Sequence, residues 1–358
     1  MRIGVDARDL AGHSTGVGRY LGGLLREWCG GERASPHDFV LYSHAPVSVP
    51  FDQTRVRLRT VPGTGGTWWQ QVQLRTEATR DRLDLFFAPG YAAPLRLPIP
   101  VVVAVHDVSF AAHPEWFAAR EGLRLRWLAR RTAQAAKAVI TISEFSRCEI
   151  IEHLGVNDTR IRVIPPGISP PPRSQALDAK GPSVLFVGSI FNRRHVPDLI
   201  RAFTPIARRH PSISLDIVGD NRSFPHEDLS GIVAAEQLEG RVRLRSYVDD
   251  RELGALYASA RAFAFLSEYE GLGLTPLEAL ATGVPPVLLD TPVAHESCGA
   301  AALYVKPGDV AATTQALELL LFDEATRARL IQAAPRVLER YNWPRAAAQT
   351  LSVLEEAG

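Results

Sequence analysis

The chain has 358 residues, 46% of them hydrophobic and 22% charged, with a formal net charge of +1. That length exceeds one typical core and suits two domains with a cleft between them, and the composition is ordinary for a globular protein. The charge balance gives nucleic acid no footing as the main partner. Three scattered cysteines, Cys29, Cys148 and Cys298, argue against a disulfide framework or a zinc site and fit a reducing cytoplasm.

The strand-like run Arg2–Asp6 comes at once, with no apolar stretch of signal-peptide length, and no later run reaches membrane-spanning length. The expectation is a cytoplasmic protein, at most peripheral at the inner face of a membrane. Further strands are predicted at Phe39–Ser43, Val56–Val61, Leu85–Ala88, Val101–His106 and Ala138–Ile142, and helices at Gly18–Cys29, Trp69–Arg82, Ala119–Ala136 and Glu144–Leu154. Such alternation implies a parallel sheet wrapped by helices. Val163-Ile164-Pro165-Pro166-Gly167 then leads to Pro170-Pro171-Pro172 and a polar stretch ending Lys180-Gly181-Pro182. Three consecutive prolines fit neither a sheet nor a helix interior, so 168–182 reads as a linker.

Beyond it the alternation restarts. Strands are predicted at Val184–Gly188, Ile213–Gly219, Ala262–Leu266, Val287–Leu289 and Ala302–Val305, and helices at Val196–Arg209, Leu253–Ala260 and Leu277–Thr282. After the break Tyr341-Asn342-Trp343-Pro344, Arg345–Glu356 reads as a terminal helix. The expected organisation is α/β throughout: a Rossmann-like domain over 1–167, the linker, and a second such domain over 183–340. The terminal helix, within 345–358, is expected to pack back on the first domain. In open α/β sheets ligands sit at the carboxyl ends of strands, beside glycine-rich turns and helix N-termini, so a site is expected where the two halves face each other.

Ser267-Glu268-Tyr269-Glu270-Gly271-Leu272-Gly273-Leu274-Thr275-Pro276-Leu277-Glu278-Ala279 carries the strongest chemical signal. It follows a strand, turns on two glycines and opens a helix with Pro276 in its first turn. The glycines let backbone N–H groups approach an anion, and the helix dipole favours negative charge there. Glu270 and Glu278 bracket the turn with seven residues between them. A carboxylate accepts paired hydrogen bonds from vicinal hydroxyls, which a sugar ring and a ribose both offer. Arg193-Arg194-His195, just after the turn at Gly188 and before a helix, favours anion binding over a merely solvated basic corner.

The segment around the two glutamates resembles the E-x7-E signature of the retaining GT-B glycosyltransferases, specifically the mannosyltransferase-like group often called family four. Thr15-Gly16-Val17-Gly18-Arg19-Tyr20 is similar to that group's first glycine loop. The likeness continues through Trp69-Gln70-Gln71, Asp84–Pro94, Val102–Phe117, Ile142-Ser143-Glu144-Phe145-Ser146, Val163–Gly167, Val187–Phe203, Tyr247–Ala260 and Ala300–Pro307. The resemblance implies a GT-B fold, with an N-terminal acceptor domain and a C-terminal donor domain facing across a cleft. It implies that Glu270, Arg194 and His106 carry the chemistry. Glu270 and His106 would touch the transferred sugar, and Arg194 would neutralise the diphosphate where a lysine is usual. Glu278 would bind ribose, the backbone of Gly271, Leu272, Gly273 and Leu274 the sugar and diphosphate, and Tyr247 and Val248 the base. Gly188, Ser189, Arg193, Gly16 and Gly18 complete the implied donor site. Leu272, His195 and Pro286 depart from the usual residues. Ser189, where a second arginine or a threonine is common, leaves more of the phosphate charge to Arg194.

The expected activity is transfer of a hexose, first of all mannose from GDP-mannose, to the hydroxyl of a glycan, lipid-linked or small-molecule acceptor, with retention and with neither cofactor nor divalent metal. An epimerase or phosphorylase on the same fold, or a non-catalytic nucleotide-sugar binding module, are the alternatives. Trp68 and Trp69 are either core anchors or faces of an acceptor pocket. The helix Ala119–Ala136 carries Arg120, Arg124, Arg126, Arg130 and Arg131 among Leu123, Trp127 and Leu128. It is either a solvated arginine face over an apolar stripe or a surface for anionic lipid.

Overall fold

The computed structural model describes residues 1–12, 16–30, 36–47, 49, 55–172 and 182–358. They form two compact units, one of Met1–Gly167 with Tyr341–Gly358 and one of Ile168–Arg340. Residues 173–181 of the expected linker, and Thr15 of the glycine-loop motif, lie outside the described residues.

The first unit is built from β1 (Arg2–Asp6), α1 (Gly16–Cys29), β2 (Asp38–Ser43), β3 (Val56–Thr60), α2 (Arg75–Arg80), β4 (Leu85–Ala88), β5 (Val101–Ala104), α3 (Ser109–Ala112), α4 (Ala119–Ala135), β6 (Ala138–Thr141), α5 (Glu144–Leu154) and β7 (Ile161–Val163). A π-helical stretch, Trp69–Leu74, leads into α2. Its strands pair in parallel in the order β3-β2-β1-β4-β5-β6-β7.

The second unit runs β8 (Ser183–Val187), α6 (Val196–Arg209), β9 (Ser214–Val218), α7 (Leu229–Ala235), β10 (Val242–Arg245), α8 (Asp250–Ser259), β11 (Ala260–Phe265), α9 (Leu274–Ala281), β12 (Pro286–Leu289), α10 (Pro292–Cys298), β13 (Leu303–Val305), α11 (Val310–Phe322) and α12 (Glu324–Leu338). Its parallel sheet has the order β10-β9-β8-β11-β12-β13. The chain then returns to the first unit as α13 (Trp343–Ala357). In both sheets the order reverses once, between β1 and β4 and between β8 and β11. At such a point adjacent strands send their connections in opposite directions and leave a crevice at their carboxyl ends.

Central strands such as β4 (Leu-Phe-Phe-Ala) and β8 (Ser-Val-Leu-Phe-Val) are buried at every position, as parallel strands covered by helices on both faces must be. The edge strand β10, Val-Arg-Leu-Arg, escaped the sequence reading because its arginines mask the apolar alternation. They are there for the buried carboxylate of Asp216 on β9. Arg243 donates to both its oxygens, at 2.7 and 2.6 Å, and Arg245 lies 3.6 Å away. Several helical starts also shift. α1 begins at Gly16, α8 at Asp250 behind the Asp249 cap, and α9 at Leu274. β5 ends at Ala104, which leaves His106 in the following loop rather than in the strand.

α13 is pinned to the first unit by side chains that sequence spacing could not pair. Trp28 Nε1 on α1 donates to the Ala347 carbonyl at 2.9 Å, and His37 Nε2 meets Glu355 at 2.7 Å. The Trp343 indole lies so close to Gly23 and Gly167 that a Cβ at either would overlap it, whereas one at Gly22 would meet nothing within 4 Å. Gly167→Ala should therefore lower the unfolding free energy by about 1–3 kcal/mol through overpacking. Gly22→Ala, in the same helix as Gly23, should raise it by about 0.5–1 kcal/mol. Urea denaturation of the two variants beside the parent checks both signs.

Candidate active site

In the second unit the loop after β8 and the loop after β11 meet at the strand-order reversal. Gly219, at the end of β9, has φ +151° and lies so near the Gly188 carbonyl that a Cβ there would collide with it. Only glycine allows this approach, which seats the Gly188 turn against the neighbouring strand end. A Cβ on Gly188 would in turn come within 2.8 Å of Arg194 Nη1. The short helical turn Asn192–Arg194 ends on His195, held at φ +47°. That left-handed conformation explains why an asparagine or glycine fits the position well. Here the imidazole is braced, with Nδ1 3.3 Å from Asp198 and Nε2 2.8 Å from Glu268.

Arg194 reaches from this turn to the β11 loop. Nε and Nη2 lie 2.8 and 2.7 Å from Glu270 Oε1, and Nη1 donates to the Ser189 carbonyl at 2.7 Å. Its guanidinium carbon stands 4.8 Å from the Phe265 ring centroid and 5.4 Å from that of Phe191. Aromatic faces and a forked contact suit a planar guanidinium better than an ammonium. Ser267 Oγ donates to the same Oε1 at 2.8 Å. Three donors thus converge on one oxygen of Glu270, and among the described residues none is placed on Oε2. Side-chain exposures of 12% for Arg194 and 18% for Glu270 leave the pair partly desolvated, so each needs the other.

Past Glu270 the chain turns through Gly271 and the buried Leu272 to Gly273, whose φ of +84° precedes the first residue of α9. The turn into α9 stands beside a cavity of about 20 Å³ lined by Glu270, Ser267, Leu272, Gly273, Phe265 and Thr291, among others. Glu278, inside α9, is buried. Tyr247 is exposed and Val248 buried between β10 and the Asp249 cap of α8. Arg193 stacks 4.3 Å over Phe191. The structure therefore brings together Gly188, Ser189, Arg194, Glu270 and the 271–274 turn.

The remaining expected residues belong to the first unit. Gly16 and Gly18 lie in the first turn of α1. His106 Nε2 donates to the Pro89 carbonyl at 2.7 Å, its ring meets Tyr20 edge-on at 4.6 Å, and its own carbonyl accepts from Ser146. With Nε2 so engaged, Nδ1 is the acceptor nitrogen. Trp69 is buried, its Nε1 donating to the Val61 carbonyl at 2.7 Å, while Trp68 is exposed. Among the described residues, Glu149, Glu152 and His153 on α5 form the one group of three side chains with metal-ligand spacing, and it contains no expected site residue.

Sequence reading missed a polar pocket at the β1/β4 reversal. It measures about 270 Å³ and is lined by Asp6, Arg8, Asp9, Gln70, Tyr91 and Arg124, among others. The buried Asp6 carboxylate accepts from Arg8 at 2.7 Å and Gln70 at 3.3 Å, and Arg8 also donates to the Gly65 carbonyl. Burial, with the neighbouring charge of Asp6, raises the Asp9 carboxyl above its ordinary value. The available signal was the rule that fixes the other site: charged residues directly after the strand where the order reverses.

Two family models together match residues 14–337 of the chain. The family described as Glycosyl transferases group 1 matches residues 171–337, and Glycosyltransferase Family 4 matches 14–170. The chain is 28% identical to O-antigen chain mannosyltransferase B of Escherichia coli, over 77% of this chain and 75% of that one. It is 27% identical to the GDP-mannose:cellobiosyl-diphosphopolyprenol alpha-mannosyltransferase of Xanthomonas oryzae pv. oryzae, over 68% and 64% respectively. The structure of Anabaena HepE in complex with UDP-glucose superposes with a TM-score of 0.76 at 19% identity, covering 99% of each chain.

His106 offers a test of the first unit's geometry. Burial lowers its pKa from the ordinary 6.5, outweighing the Pro89 hydrogen bond and the charge of Asp107. An imidazole kept neutral contributes stability that is complete above 6.5 and is lost as pH falls through that value toward the lowered one. Urea unfolding at about pH 7.5 and about pH 5.5 should show the parent losing more stability on acidification than His106→Gln, which carries no titrating group. Equal losses would contradict the burial argument.

Proposed function

Because the chain belongs to the GT-B glycosyltransferases, with a family 4 N-terminal half and a group 1 C-terminal half, we propose that it transfers a hexose from a nucleotide-diphosphate sugar with retention and without a divalent metal. The observation that carries the proposal is the Arg194–Glu270 arrangement at the strand-order reversal, beside the amides that open α9. The first unit is read as the acceptor domain and the second as the donor domain. Mannose from GDP-mannose is the preferred donor, supported by relatives named as mannosyltransferases, one of them for GDP-mannose and a polyprenol-linked acceptor.

The reaction needs the bond between the anomeric carbon and the diphosphate to break while positive charge builds on the sugar. Fixed donors at the leaving group lower that barrier most, because they need no reorganisation as charge develops. Arg194 retains N–H groups on Nη1 and Nη2 beyond those given to Glu270 and Ser189. With the 271–274 amides they would receive the diphosphate. The acceptor oxygen attacks from the face the diphosphate leaves, its proton passes to a departing phosphate oxygen, and configuration is retained. Glu270 as a covalent nucleophile is disfavoured. Its Oε1 is held by three donors, which stabilises the carboxylate. Its other oxygen suits the transferred sugar, either at a hydroxyl or facing the positive charge near the anomeric carbon. His106 would accept a sugar hydroxyl through Nδ1. The buried Glu278 would take the ribose hydroxyls, and Tyr247 and Val248 would border the base.

The two glutamates divide these roles measurably. Ribose contacts are equal before and during reaction, so Glu278→Gln should weaken nucleotide binding by about 1.5–3 kcal/mol with little change in kcat. Glu270→Gln should cut kcat by about 10²–10³ while free nucleotide binds nearly as before. Calorimetric GDP affinity, read beside acceptor-dependent release of nucleotide, checks both. Loss of GDP affinity in Glu270→Gln alone would reverse the placement of the donor. Nucleotide release that ignores the acceptor would favour a different reaction on the same fold.

A further inference from the structure

The loop after β8 and the loop after β11 meet at more than the Arg194–Glu270 pair. The Glu268 amide donates to the Arg193 carbonyl at 2.9 Å. Beside that bond, His195 Nε2 lies 2.8 Å from Glu268 Oε1, while Nδ1 lies 3.3 Å from Asp198 Oδ2 in the first turn of α6. Asp198 is itself held, because its other oxygen accepts from Arg201 at 2.9 Å. An imidazole has two nitrogens, and here each faces a carboxylate. The side chains of His195 and Asp198 are 24% exposed and that of Glu268 38%, so water and salt screen these pairings only in part. The other end of the turn is fixed as well. Asn192 Nδ2 donates to the Pro225 carbonyl at 3.0 Å and to Glu227 at 3.1 Å, and its Oδ1 accepts from the Phe224 amide at 2.6 Å. Arg194 therefore stands between two anchored residues.

His195 occupies its place at a backbone cost. Its φ of +47° lies in the left-handed region, where a β-carbon is strained and glycine is not. Such strain persists only where the surroundings hold it, and it gathers at functional sites. Asp198 and Glu268 supply the holding contacts. We propose that His195 is a positioning residue of the donor site. By pairing with Glu268 and Asp198 it fixes the turn that aims the Arg194 guanidinium at the nucleotide diphosphate. The inference rests on the reading of Arg194 as the cation for that diphosphate. A cation fixed in advance needs no reorganisation when the ligand arrives, whereas a mobile turn would first have to be ordered.

Calorimetric titration of GDP and of GMP into the whole protein, without added metal, tests this. His195→Gly suits the left-handed backbone and removes only the imidazole. It should weaken GDP binding about tenfold, and GMP, with one phosphate fewer, should lose less. Its thermal unfolding midpoint should stay at or above the parent's, because the backbone strain is relieved. His195→Gln keeps the strain but offers an amide donor to one carboxylate, so it should recover part of the lost GDP affinity. In an Arg194→Gln background, His195→Gly should bring no further loss, because the imidazole acts through Arg194. Parental GDP affinity in His195→Gly, equal losses for GDP and GMP, or an additive loss in the double variant would overturn the proposal. So would a midpoint that falls in step with GDP affinity across the variants, because the role would then be one of stability. A parent that binds no nucleotide would overturn the donor reading itself, and this proposal with it.

Discussion

Arg194 and Glu270 are held within 2.7 Å of each other in a place where neither is fully hydrated. Removing either would leave the other as a partly buried charge, which is costly, so the loops that carry them are tied together before any ligand arrives. That tie depends on the close approach of Gly219 to Gly188, which fixes the turn leading to Arg194. Phe265 and Phe191 restrict the guanidinium, and Ser267 anchors the receiving oxygen. The arrangement leaves N–H groups and one carboxylate oxygen for a ligand that brings negative charge and hydroxyl groups together.

The two units share one strand order through their first six strands, and each has a cavity at its reversal point. The chemistry at the two points differs. In the second unit a cation and the amides opening α9 stand beside one carboxylate, an arrangement for anionic groups. In the first, Asp6, Asp9, Gln70 and Tyr91 stand with Arg8 and Arg124, a mixed set suited to hydroxyls.

Much of this was legible in the sequence because buried parallel strands read as continuous apolar runs. β1 and β4 were found at their observed ends, as were α5, which Ser143 caps and Gly155 closes, and α6. The 267–279 segment was legible for a similar reason, since glycines, a proline and two carboxylates at that spacing have few other uses. Elements set by distant partners were not. β10 depends on Asp216 for its arginines, and the pocket of the first unit joins Arg8 to Gly65, far apart in the chain. The convergence of three donors on Glu270 Oε1 is likewise a tertiary fact. Trp68 and Trp69, adjacent and chemically identical, lie one exposed and one in the core, a division no local pattern could assign.

In the proposed donor site Arg194 is the fixed cation for a nucleotide diphosphate. Calorimetric titration of GDP into EDTA-treated protein, parent and Arg194→Gln side by side, tests this most directly. The parent should bind without added metal, and the variant should lose about 1.5–3 kcal/mol, the scale of a charge-assisted hydrogen bond. Equal affinity in the two proteins, or binding by the parent only after magnesium or manganese is restored, would contradict it.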